Sequence, residues 1–124
     1  MNDLIDYVKG IVESVIGRVY FEHETNNNRY PYAKVNFPSS NDDELREDFF
    51  LEIDIFDNIL KQDTTRIEQL VNEVDKQLNR LKYLSRDKKF QVSIYRINRL
   101  MIPDPDPKVR HRQLRYQCKT YFLS

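Results

Sequence analysis

The 124-residue chain contains one cysteine, two glycines and no tryptophan, and its formal net charge at pH 7 is zero. A lone Cys118 cannot close an intramolecular disulfide, so the fold must be held by its core. Glycines only at positions 10 and 17 rule out a glycine-rich loop that cradles phosphate. No apolar run approaches the roughly 20 residues a membrane-spanning helix needs, and no basic segment followed by an apolar one opens the chain. An intracellular protein with no membrane partner is therefore expected. Twenty Lys and Arg against twenty Asp and Glu remove any bulk attraction to nucleic acid or anionic lipid, so electrostatic recognition has to be local.

What remains is the composition of one globular domain covering residues 1–124, with 40% hydrophobic and 32% charged residues. Its plainest signal is Phe49-Phe50-Leu51-Glu52-Ile53-Asp54-Ile55-Phe56, in which Phe49, Leu51, Ile53 and Ile55 alternate with Phe50, Glu52, Asp54 and Phe56. That period of two marks a strand with one face on a core. The other face, two carboxylates between two phenylalanines, is unusual for a solvated surface.

The flanking segments read in order. Leu4, Ile5, Val8, Ile11, Val12, Val15 and Ile16 recur at helical spacing, with Asp3 available as a cap and Gly17 as a stop. Residues 18–22 read as a short strand, Asn26-Asn27-Asn28 as a turn, and Tyr30 to Phe37 as a second strand with Pro31 near its start. Residues 38–48 form a long acidic connection. Thr65-Arg66-Ile67-Glu68 fits a capping box, followed by a helix with apolar Ile67, Leu70, Val71, Val74, Leu78 and Leu81, its charged Glu68, Glu73, Asp75, Lys76 and Arg80 facing away.

A basic turn at 85–89 precedes a strand through Phe90, Val92 and Ile94, whose parity slips after Tyr95 as a bulge would make it. Met101-Ile102-Pro103-Asp104-Pro105-Asp106-Pro107 reads as a stiff connector, and the last strand puts Leu114, Tyr116, Cys118, Thr120 and Phe122 on its core face. The fold expected is α+β: a single, mostly antiparallel sheet of about five strands with two helices on one face, in the order αβββαββ.

No catalytic constellation emerges. Asp104, Asp106 and His111 match no closed set of metal ligands. His23 and His111 have no carboxylate or nucleophile at a recognisable spacing, and Cys118 sits where a small hydrophobe belongs. The chain is expected not to be an enzyme and to need no metal or cofactor.

Charge placement says more. Between Asp42 and Asp57 eight acidic residues accompany one base, Arg46, whereas between Arg86 and Lys119 ten basic residues accompany three acids. Such segments either neutralise each other within one chain or form a head-to-tail interface. On the second reading the subunit interface comprises Phe50, Glu52, Asp54 and Phe56 against Arg96, Arg99, Arg110, Arg112 and Arg115. A third reading lets Tyr95, Tyr116 and Tyr121, interleaved with those cations, stack nucleic-acid bases.

The first helix ending at Gly17, Tyr30-Pro31-Tyr32, the strand from Phe49 to Asp57, the Thr65-Arg66-Ile67-Glu68 helix start, Ile102-Pro103-Asp104 and Arg112-Gln113-Leu114-Arg115-Tyr116 together resemble the tail-terminator, or tail-completion, proteins of long-tailed bacteriophages. The resemblance implies an α/β sheet with two helices, and a hexameric ring of identical copies on the head-proximal end of the tail tube. It implies arrest of tube polymerisation, with the tube protein and the head-tail connector or neck protein as partners. DNA would pass through the ring without sequence-specific binding. The location implied is the virion tail, after assembly in the host cytoplasm. A connector or neck protein is the alternative, and a small nucleic-acid-binding module a more distant one.

Overall fold

A computed structural model of the protein describes residues 2–21, 30–38, 48–58 and 64–123. The elements run α1 (Asn2–Ile16), β1 (Val19–Phe21), β2 (Tyr32–Asn36), β3 (Asp48–Asn58), α2 (Thr65–Leu78), β4 (Lys82–Leu84), β5 (Phe90–Ile102) and β6 (Val109–Phe122). The strands form one six-stranded sheet in the order β1-β2-β3-β6-β5-β4. The α+β class is as expected. His23, the asparagine turn and most of the acidic connection lie outside the described residues.

The strand from which the sequence was read is structurally central. β3 pairs antiparallel with β2 on one side, and along its whole length with β6 on the other, from Asp48↔Lys119 to Asn58↔Val109. Its buried residues alternate as the period of two requires, and Leu51, Ile53 and Ile55 are completely buried. Each such side chain contributes about 1.5–3 kcal/mol by leaving water. Above them lie Leu4, Val8, Val12 and Ile16 of α1 and Ile67, Val71, Val74 and Leu78 of α2 in one continuous core. The helices touch each other, α1 over β1 and β2 and α2 over β3, β6 and β5, so both cover the same side of the sheet. Among the described residues no helix lies on the opposite, outer side.

Several expectations need correction. The sheet has six strands and is mixed, because β1 runs parallel to β2 through Val19↔Ala33 and Phe21↔Val35; side-chain alternation marks a strand but not its direction. The extra strand is β4, Lys82–Leu84, which falls where the sequence suggests no element, between a helix expected to run through Leu81 and the turn at 85–89. Leu81 continues the helical period, yet Arg80 has φ 70° and turns the chain back, its N–H donating to Ile94 O at 2.7 Å.

The N-cap of α2 is Thr64, with no side-chain cap bond, rather than Thr65. Glu68 then falls one position past the capping-box site and turns to arginines of the sheet instead. Met101 and Ile102, expected in a connector, are strand residues paired with Arg112 and His111. Pro103 lacks an N–H and holds the residue before it in extended backbone, but the donors of Met101 and Ile102 are untouched. The prolines occupy a hairpin turn in which Asp106 N–H donates to Asp104 Oδ1 and Lys108 N–H to Asp106 Oδ1, both at 2.9 Å. Phe122, placed in the core by parity, is 64% exposed because β6 extends past the helices there. The slip in β5 is a bulge between Arg96 and Asn98, as its sequence suggests.

Candidate assembly interface

The nine candidate interface residues separate onto the two sides of the sheet. Arg96, Arg99 and Arg112 lie on the helix side, where α2 presents Glu68, Asn72, Asp75 and Asn79 at spacings of four and three, one polar stripe of a helix. Arg99 donates to Glu68 Oε2 and to Asn72 Oδ1, both at 2.6 Å, and Arg112 Nε donates to Glu68 Oε1 at 2.7 Å. Arg96 Nη1 donates to Asp75 Oδ2 at 2.6 Å, and its backbone N–H to Asn79 Oδ1 at 2.9 Å. Tyr116, fully buried, donates its hydroxyl to Asp75 Oδ1 at 2.8 Å.

This stripe locks α2 to β5 and β6. Partial burial pushes the Glu68 carboxyl up, but its bonds to Arg112 and Arg99 outweigh that and hold it below the ordinary range. Burial, then the Asp75 carboxylate, pushes the Tyr116 phenol far above its ordinary range. Glu68 and Asp75 therefore do not form a solvated helix face, and three of the five candidate arginines are held by α2 of their own chain. Arg110 donates to Pro107 O and Val109 O of its hairpin. With Asp104, Arg112, Met101 and Ile102 it lines a pocket of about 320 Å³ beside the turn.

Phe50, Glu52, Asp54, Phe56 and Arg115 lie together on the outer side. Glu52 faces Arg115 across the strand pair at 3.7 Å, and the Arg115 guanidinium sits 4.5 Å from the Phe50 ring centre. Asp54 Oδ1 is 2.6 Å from His111 Nε2 and accepts from Gln113 Nε2 at 3.0 Å. The His111 ring stacks on Phe56 at 4.1 Å, and Phe56 on Tyr32 at 4.7 Å. The described end of the acidic segment, β3, thus pairs with β6 of the basic segment, with Asp48, Glu52 and Asp57 opposite Lys119, Arg115 and Arg110 inside one molecule.

The same outer side becomes apolar towards its β4 edge. Leu84 is 50% exposed, Tyr95 and Tyr121 48% and Leu100 43%; the register with β6 puts all four on this side. Tyr95 and Tyr121 figured in the sequence only as bases' stacking partners, and Leu84 and Leu100 not at all. The signal for Leu100 was the parity change after Tyr95, legible only once the bulge is counted. Of the three stacking tyrosines, Tyr116 is unavailable, being buried on the other side.

Elsewhere, burial pushes the Cys118 thiol up to about 12, which keeps it protonated. Among the described residues no three His, Cys, Asp or Glu side chains group as metal ligands; Asp104 and Asp106 hold their own turn while His111 meets Asp54. No helix of the described residues is long and apolar enough to cross a membrane. No protein-family model matches the chain, and no curated protein matches it in sequence.

Proposed function

We propose that this chain is a structural assembly protein of the tail-terminator kind, a subunit of a ring that caps a phage tail tube, ends its polymerisation and joins it to the head. The observation that carries the proposal is the outer side of the sheet, which neither of the described helices covers. Leu84, Tyr95, Leu100 and Tyr121 form an exposed apolar border on one flank of a polar cluster of Glu52, Asp54, His111 and Arg115. Apolar residues flanked by paired charge are the composition of a protein contact surface rather than of a solvated sheet. The α+β architecture and the family resemblance of the sequence support the same reading.

The ring contact then draws on the outer-side members of the candidate set, Phe50, Glu52, Asp54, Phe56 and Arg115, together with the apolar border. Arg96, Arg99 and Arg112 serve the monomer instead. The test is negative-stain imaging of isolated tail tubes mixed with purified protein. A disc on one tube end is expected, and its loss in a Tyr95→Lys, Tyr121→Lys double variant that keeps the wild-type circular dichroism. Bare tube ends with the wild-type protein would overturn the reading; binding to filled heads in place of tubes would move the protein to the neck.

A further inference from the structure

The far half of β5 pairs with β6 on one side, and among the described residues it has no partner strand on the other. β4 pairs with β5 only at Gln91, Val92 and Ser93. The edge continues through Ile94, bonded to Arg80 and Leu81, and ends at Arg96, whose N–H is taken by the Asn79 side chain. Ile94 and Arg96 thus direct their backbone groups away from β6. The bulge inserts one residue, and from there Arg99 and Met101 take the outward positions while Asn98, Leu100 and Ile102 face β6. Among the described residues, no partner meets the outward N–H and C=O of Arg99 and Met101.

Natural sheet edges are blunted by lysine, proline or covering segments. Here the first proline is Pro103, and the free stretch carries Ile97, Leu100 and Met101 at 47%, 43% and 75% exposure.

We propose that this free edge of β5 pairs antiparallel with the same edge of a second copy, on a twofold axis at Leu100. Three observations select that occupant. The edge matches its own charge: its two cations, Arg96 and Arg99, are tied to Asp75 and Glu68, so two copies meet without unpaired like charge. Its outward groups fit a register in which Arg99 of each copy faces Met101 of the other. Centring on Met101 would set Arg99 against Pro103, which has no N–H. The side chains match too, since Leu100 then meets Leu100 on the outer side and exposed Met101 lies along the Arg99 stem on the helix side.

The contact is isologous, stops at two copies, and does not rest on the ring reading. It is also small, and so belongs among weak associations.

Sedimentation equilibrium to about 0.5 mM protein, the range in which small interfaces associate, tests it together with one cysteine variant. A monomer–dimer equilibrium is expected, and Met101→Lys and, separately, Leu100→Lys should each raise the dimer Kd at least about tenfold. Both positions are exposed, so the folded spectrum serves as the control. Leu100→Cys should cross-link to its twin under mild oxidation, because directly opposed Cβ atoms meet disulfide geometry, while wild type, with Cys118 fully buried, should not. A strictly monomeric protein would overturn the proposal. So would a dimer or larger ring that ignores both lysine variants or fails to cross-link through position 100.

Discussion

The β3–β6 pair and the far half of β5 belong to one sheet but treat their polar groups in opposite ways. Along β3 and β6 every residue of the shorter strand has a partner, and the carboxylates of Glu52 and Asp54 end on Arg115, His111 and Gln113. Along β5 beyond the bulge one backbone edge meets no partner among the described residues, and apolar side chains are exposed. Stability therefore concentrates in the middle strands, and availability for partners at the periphery. Segregated charge in a sequence is not by itself an interface, since chain reversal can bring the two segments side by side.

The comparison is broken most severely at the centre. Ile53→Ala removes a fully buried side chain from the common core and should cost about 2–5 kcal/mol in urea unfolding. A loss below about 1 kcal/mol would mean that the core closes elsewhere. Next comes the arginine clamp. Glu68→Gln leaves Arg112, 7% exposed, without its carboxylate and should cost about 2 kcal/mol, less than a fully buried pair because Glu68 is partly solvated.

The same clamp has a pH signature. The Glu68 carboxyl is held below its ordinary 4.5, so its contribution is present above that value and is lost as pH falls through the lower folded one. Thermal midpoints measured from pH 6 downwards should converge for wild type and Glu68→Gln; parallel curves would assign the acid limb to other groups.

On the outer side, Asp54→Ala frees His111 and Gln113 and should cost about 1 kcal/mol, as the cluster is near the surface. The smallest effect belongs to the open edge, where Met101→Lys should change monomer stability by less than about 0.5 kcal/mol. Equal losses for Ile53→Ala and Met101→Lys would erase the distinction between the two regions.

How far the sequence could be read differs by element. α1, β3 and the core face of β6 up to Thr120 were legible because burial imposes periods of 3.6 and 2 on the residues themselves. The bulge in β5 was legible as a parity slip. β4 was not, since a three-residue strand has too little pattern to compete with the helical period running through Leu81. The site was half legible: Phe50, Glu52, Asp54, Phe56 and Arg115 share one side, but nothing local distinguishes them from Arg96, Arg99 and Arg112 on the other.

What the sequence alone determined is the set of amphipathic elements, the absence of a disulfide and the two segments of opposite charge, all properties of composition and local spacing. Only the tertiary structure decided that β3 and β6, the described strands of those segments, pair within one chain, that α2 turns an acidic stripe onto three arginines, and that β5 outruns β4. Strand order, direction and register depend on which distant residues meet, and no local period encodes that.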